Sequence, residues 1–152
     1  MKNNAYFESM KQIGYEWEAK RAERKARKEQ IIKTLGWDSE ELKAWYEEDA
    51  AAKFPFEPGE SKAYRAWAMS ADEVEMSDFL WDGEVEDFVK ALRKAEIQTF
   101  VYTNQSTAVM GNLHAFAKAG CTLEGLCTIT KKETRWGDEE TTEVMGVRFS
   151  LN

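Results

Sequence analysis

Both prolines of the chain, Pro55 and Pro58, fall in one short segment, Phe54-Pro55-Phe56-Glu57-Pro58-Gly59-Glu60. Proline removes a backbone donor and glycine invites turns, so no regular element is expected to run through this stretch. The pattern also changes there. Before it the chain reads at helical period; after it strands and helices alternate. The expected organisation is a helical N-terminal region over 1–53, a linker over 54–61 and an α/β domain over 62–152.

Residues 5–35 are dominated by Ala, Glu, Lys, Arg and Met with no proline, which predicts one long helix. Phe7, Met10, Trp17, Ile31 and Leu35 recur at spacings that fit a single apolar stripe. Between them the run Lys20–Lys28 has only alanines as apolar residues, so apolar contacts are expected at the helix ends and an exposed basic waist between. Gly36 supplies the stop. A second helix follows, with Asp38 or Ser39 as N-cap and Leu42, Trp45 and Tyr46 as its apolar face.

Past the linker, Tyr64–Met69 reads as a strand and residues 70–83 as an acidic connection with a short helical turn. Val85, Phe88, Val89 and Leu92 follow i, i+3, i+4, i+7, an amphipathic helix with Asp82 as its expected N-cap. Ile97–Thr103 is read as a strand. Ser106 opens a further helix with Val109, Met110, Leu113, Phe116 and Ala117 on one side, stopped by Gly120. Leu123–Lys132 and Glu143–Leu151 form the last two strands, joined through Trp136-Gly137-Asp138-Glu139. The fold class is therefore α+β: an N-terminal helical arm, then β-α-β-α-β-β with a four-stranded mixed sheet. The first three strands should run parallel and the final hairpin antiparallel.

Net charge is −7, yet residues 1–53 hold equal numbers of acids and bases. The whole excess is carried by the second part, which makes long-range attraction to nucleic acid unfavourable. Cys121 and Cys127 are read on one strand, about 20 Å apart at the strand rise, too far to bridge. They are taken as small core thiols in a reducing compartment. The polar N-terminus lacks a signal-peptide core and no apolar run approaches membrane-spanning length, so the expectation is a cytoplasmic protein with no membrane partner.

The segments Leu92-Arg93-Lys94-Ala95, Thr103–Ala108, Asn112–Phe116, Gly120-Cys121, Gly125-Leu126 and Gly146–Phe149 resemble a family of small uncharacterised proteins. That family is carried on conjugative elements and prophage-like islands of clostridia and related gut Firmicutes. The resemblance covers about residues 62–152. It implies a mobile-element setting and no assigned activity.

Three constellations carry chemistry. Asp72, Glu73, Glu75, Asp78, Asp82, Glu84, Glu86 and Asp87 form an acidic run free of Lys and Arg, interleaved with Phe79 and Trp81. The ordinary explanation is a solvated helix start plus core aromatics; the sharper one is a partner-binding edge. In it Asp72, Glu73, Glu75, Asp78, Asp82 and Glu84 steer a basic protein or nucleoprotein, and Phe79 or Trp81 anchors it. The second constellation is the strand–helix junction Asn104, Ser106 and Thr107, where a helix start could hold an anion, although these residue types also serve simply as caps. Tyr102, His114 and Cys121 would complete a small enzyme or ligand-binding site there. A Ser106–His114 pair is excluded by about 12 Å of helical rise, and a single histidine with two cysteines on one strand gives no metal site. The third is the waist Lys20–Lys28, diluted by Glu23 and Glu29, which gives little support to direct nucleic-acid binding. The leading expectation is a non-catalytic accessory protein without cofactor, one form of which is an inhibitor of a host defence nuclease. Its oligomeric state is left open, including self-association through the apolar ends of the arm.

Overall fold

Helix α1 spans Ala5–Leu35, as the uninterrupted run of helix formers dictates, and Gly36 follows it at φ 81°. It opens a computed structural model that describes residues 3–152. By contact density the chain divides into two compact units. One comprises the residues up to Phe7 together with Glu57–Asn152, and the other is Glu8–Phe56.

In the unit Glu8–Phe56, α1 is joined by α2, Glu40–Ala51, whose N-cap Ser39 accepts the Leu42 N–H. Leu42 and Trp45 are buried, and the Trp45 indole N–H donates to the Arg24 carbonyl at 2.7 Å. The waist read as exposed is instead where α2 docks. Lys28 sits 4.9 and 4.8 Å from the Trp45 and Tyr46 ring centres, Arg24 pairs with Asp49 at 3.4 Å, and Arg27 pairs with Glu48. Arginine and lysine stems cover aromatic faces while their charges are met, so a polar helix face can still be a packing face. The helix end expected to make apolar contact does not: Leu35 is 54% exposed.

The other unit begins with α3, Pro58–Met69. The stretch Tyr64–Met69 is thus helical, not a strand. Proline at the first helical position is preorganised for a helix, and Glu60 reaches back to the Glu57 N–H at 3.5 Å. The buried residues Ala63, Ala66 and Trp67 then fall at helical spacing. Gly59 lets α3 meet α4 (Glu84–Lys94) closely: a Cβ there would stand 2.8 Å from the Asp87 Cβ and 2.9 Å from the Phe88 nitrogen.

The missing strand is β1, Val74–Met76, inside the segment read as an acidic connection. Val74 and Met76 are buried and Glu75 is not, the alternation of a half-buried strand. β1 pairs parallel with β2, Thr99–Tyr102, across α4. After α5, Val109–Lys118, come β3, Thr122–Arg135, and β4, Asp138–Ser150. The sheet order is β1-β2-β4-β3, with β4 antiparallel to both its neighbours. The first three strands therefore share one direction, and the last inserts between the second and third. The result is an α+β fold with a mixed four-stranded sheet.

The rings of Phe88, Phe100, Tyr102, Phe116 and Phe149 form the centre, in contacts of 5.0 to 6.0 Å between centroids. On α5 the buried positions are Asn112 and Phe116, while Met110 is 61% exposed; the apolar side read from the sequence is rotated. Asn112 is held inward because its amide donates to the Leu80 carbonyl at 2.7 Å and its oxygen accepts from Leu80 N–H and the Tyr102 hydroxyl. Past β2, β3 and β4 continue as a two-stranded ribbon to a tight turn at Trp136-Gly137, φ 53° and 83°. Both cysteines are free; Cys121 precedes β3, and a register shift between Leu123 and Gly125 interrupts the period-two spacing toward Cys127.

Candidate interaction surface

The acidic run is not one surface. Four of its carboxylates are already answered within the fold, each because a basic side chain from another element faces it. Glu73, just ahead of β1, takes a bidentate bond from Arg148 of β4 at 2.8 and 3.0 Å and accepts from the Thr99 hydroxyl at 2.8 Å. The Arg148 hydrogen bonds hold the Glu73 carboxyl below its ordinary range, against the opposing pull of burial. Glu84 meets Lys62 of α3 at 2.6 Å. Burial would raise its pKa, but Lys62 and the Trp81 N–H outweigh that and leave it lowered. Glu75 binds Lys131 at 2.5 Å, and Asp78 lies 3.7 Å from Arg65.

These pairs stitch helix to strand and strand to ribbon. A groove of about 1070 Å³ runs beside them, lined by Arg65 and Met69 of α3, Glu75 of β1 and Ile129 and Lys131 of β3. The second oxygen of Glu75 is buried with no hydrogen-bond partner, so the Lys131 contact is what compensates that carboxylate.

What remains is smaller and better defined. Among the described residues no basic side chain pairs with Asp72, Asp82, Glu86 or Asp87. Asp82 and Asp87 line a notch of about 470 Å³ with Glu57, Pro58, Trp81, Gly83 and Glu84. Trp81 is 66% exposed there and packs edge-on to Phe79 at 4.7 Å, which fixes its ring. Asp82 does not cap α4; Gly83 occupies that position, and no side chain caps it. Glu57 and Pro58 are the members of the notch that the sequence did not mark, because the segment carrying them read as linker.

The strand–helix junction is organised differently. Asn104 donates to the Ser77 carbonyl at 2.9 Å and accepts from the Ser106 N–H and hydroxyl at 3.0 and 2.6 Å. Ser106 in turn accepts from the Ala108 N–H, and α5 starts three residues later than Ser106. Their polar atoms thus serve the local turn; Thr107 is exposed beside them. Tyr102 is buried against Asn112, and burial with the nearby Asp78 charge pushes its hydroxyl up to about 12, so it stays a donor. Cys121 is buried and its thiol is raised by burial, with Arg93 opposing, which works against a nucleophilic thiolate. His114 is exposed on α5. Among the described residues no group of three or more His, Cys, Asp or Glu side chains is arranged to hold a metal ion, and no helix is long and apolar enough to cross a membrane.

No curated protein and no solved structure matches the chain. Residues 61–151 match a family described as a Domain of unknown function (DUF7698), a stretch that takes in α3, the whole sheet and the Trp81 notch apart from Glu57 and Pro58. The chain belongs to the DUF7698 family.

Proposed function

We propose that this is a non-catalytic binding protein whose acidic surface around Trp81 contacts a basic protein or nucleoprotein target. The observation that supports this reading is the sorting of the acids: Glu73, Glu75, Asp78 and Glu84 are neutralised inside the fold, while Asp82, Glu86 and Asp87 stay unpaired beside an exposed indole. A desolvatable aromatic surrounded by unpaired charge is the usual make-up of an interaction anchor, with the charges steering the encounter. The competing structural explanation is that Glu86 and Asp87 merely complement the α4 dipole. That accounts for their position in the helix but not for the exposure of Trp81. In the mobile-element setting implied by the sequence resemblance, the target is a host defence nuclease, whose phosphate-binding path an acidic surface imitates.

The test reverses only the unpaired acids, as Asp82→Lys, Glu86→Lys and Asp87→Lys together, and separately removes the anchor with Trp81→Ala. The internal pairs stay intact, so circular dichroism should be unchanged. Affinity capture with the intact protein is expected to retain a basic partner that both variants lose and that rising salt releases. Equal retention by wild type and both variants would remove the notch from consideration.

A further inference from the structure

We infer that the outer edge of β3 is an interface for a second copy of this chain, which pairs with it antiparallel about Thr128. β3 ends the sheet and is paired only with β4, in unbroken register from Gly125 to Arg135. Its other edge therefore presents a regular row of backbone donors and acceptors.

The opposite end of the sheet is not equivalent. β1 is three residues long, α3 packs against it, and the Glu75 N–H is already taken by the Ser70 hydroxyl at 2.8 Å. Head-to-tail addition of β3 to β1, which would build open chains, thus meets a short and occupied edge. Pairing of β3 with β3 closes as a two-fold dimer.

The side chains of β3 suit that arrangement. Gly125-Leu126-Cys127-Thr128-Ile129-Thr130 carries no charge and is rich in residues that favour strands. Leu126 is 89% exposed and Met145, which lies opposite Thr128 on β4, is 71% exposed. Lysines commonly guard a free edge. Here Lys131 is drawn to Glu75 instead, leaving Lys132 as the remaining guard.

Charge then selects the register. A two-fold axis at Thr128 sets Lys132 beside Glu124 twice, Ile129 beside Cys127 and Leu126 beside Thr130. Centring on Lys131 or Lys132 would place a lysine against itself. Centring on Cys127 or Ile129 would leave Lys132 facing Thr122 or Leu126.

Sedimentation velocity on the full chain at tens of micromolar tests this directly. A dimer is expected. Lys132→Glu or Glu124→Lys, both at exposed positions, should each weaken association by about tenfold or more, and the double exchange should restore it. A monomer at every concentration would overturn the inference. So would a dimer indifferent to both single reversals, or growth beyond the dimer.

Discussion

Arg148 and Glu73 join two sheet elements that are far apart in sequence, and their titration gives the pair a signature. The Glu73 side chain is 27% exposed and that of Arg148 38%, so solvent screens the pair and its worth is modest, about 1 kcal/mol. The folded-state pKa of Glu73 is lowered, chiefly by the Arg148 hydrogen bonds. A depressed carboxylate contributes fully above its unfolded value and loses that contribution as pH falls through the folded one. Glu73→Gln should therefore destabilise the protein by about 1 kcal/mol near neutrality. The deficit should shrink as pH drops below about 4.3, the ordinary glutamate range. Urea unfolding of both proteins across that window measures it; a deficit that stays constant into strong acid would mean that Glu73 acts through packing alone.

At the scale of elements, the ribbon turn carries an avoidable cost. Trp136 sits at φ 53° ahead of Gly137 at φ 83°, the pair of positive angles that a two-residue hairpin turn requires. A tryptophan resists that conformation, and this one is fully solvent-exposed, so it gives no packing in return. Trp136→Asn should stabilise the ribbon by about 1 kcal/mol. Slower amide exchange through Lys131–Glu140 would register the gain, and faster exchange would show that the ring holds the turn in place. The same ribbon shows what a sequence makes legible. The alternation of Met145, Val147 and Phe149 declares β4, and the four-residue periodicity of Val85–Leu92 declares α4, because each signal is local and repeated. Tyr64–Met69 misled because a short apolar run suits helix or strand alike, and the cue that decides it, Pro58 as a helix start, was absorbed into a turn. β1 is three residues long and gave one period of alternation. For the candidate surface, the acids and Trp81 were visible. Which acids are spent on Lys62, Arg65, Lys131 and Arg148 was not, since those partners arrive from distant parts of the chain. Asn112 escaped for the same reason: its partners Leu80 and Tyr102 meet only in the fold.

Across the whole molecule, the two compact units differ in what they bury. The unit containing the sheet encloses Phe88, Phe100, Phe116, Phe149 and Leu92, each at 0% exposure. Between Glu8 and Phe56 the buried apolar side chains are Met10, Leu42 and Trp45, and much of the remaining contact is made by charged stems over rings and by exposed ion pairs. Stability follows apolar burial far more than it follows exposed ion pairs. Helices of this kind depend on their packed face, because propensity alone holds a helix only marginally. The prediction is a graded opening: amides of α2 and of the middle of α1 should exchange at free energies about 2 kcal/mol or more below those of β2 and α4. Hydrogen exchange on the intact chain, read segment by segment as denaturant rises, tests it. Separate isotherms, with Glu40–Ala51 reaching full exchange before Thr99–Tyr102 begins, are the expected result. If both segments instead merged into one transition at every denaturant concentration, the small core around Trp45 would have to be as strong as the phenylalanine cluster, and burial would not rank the two units.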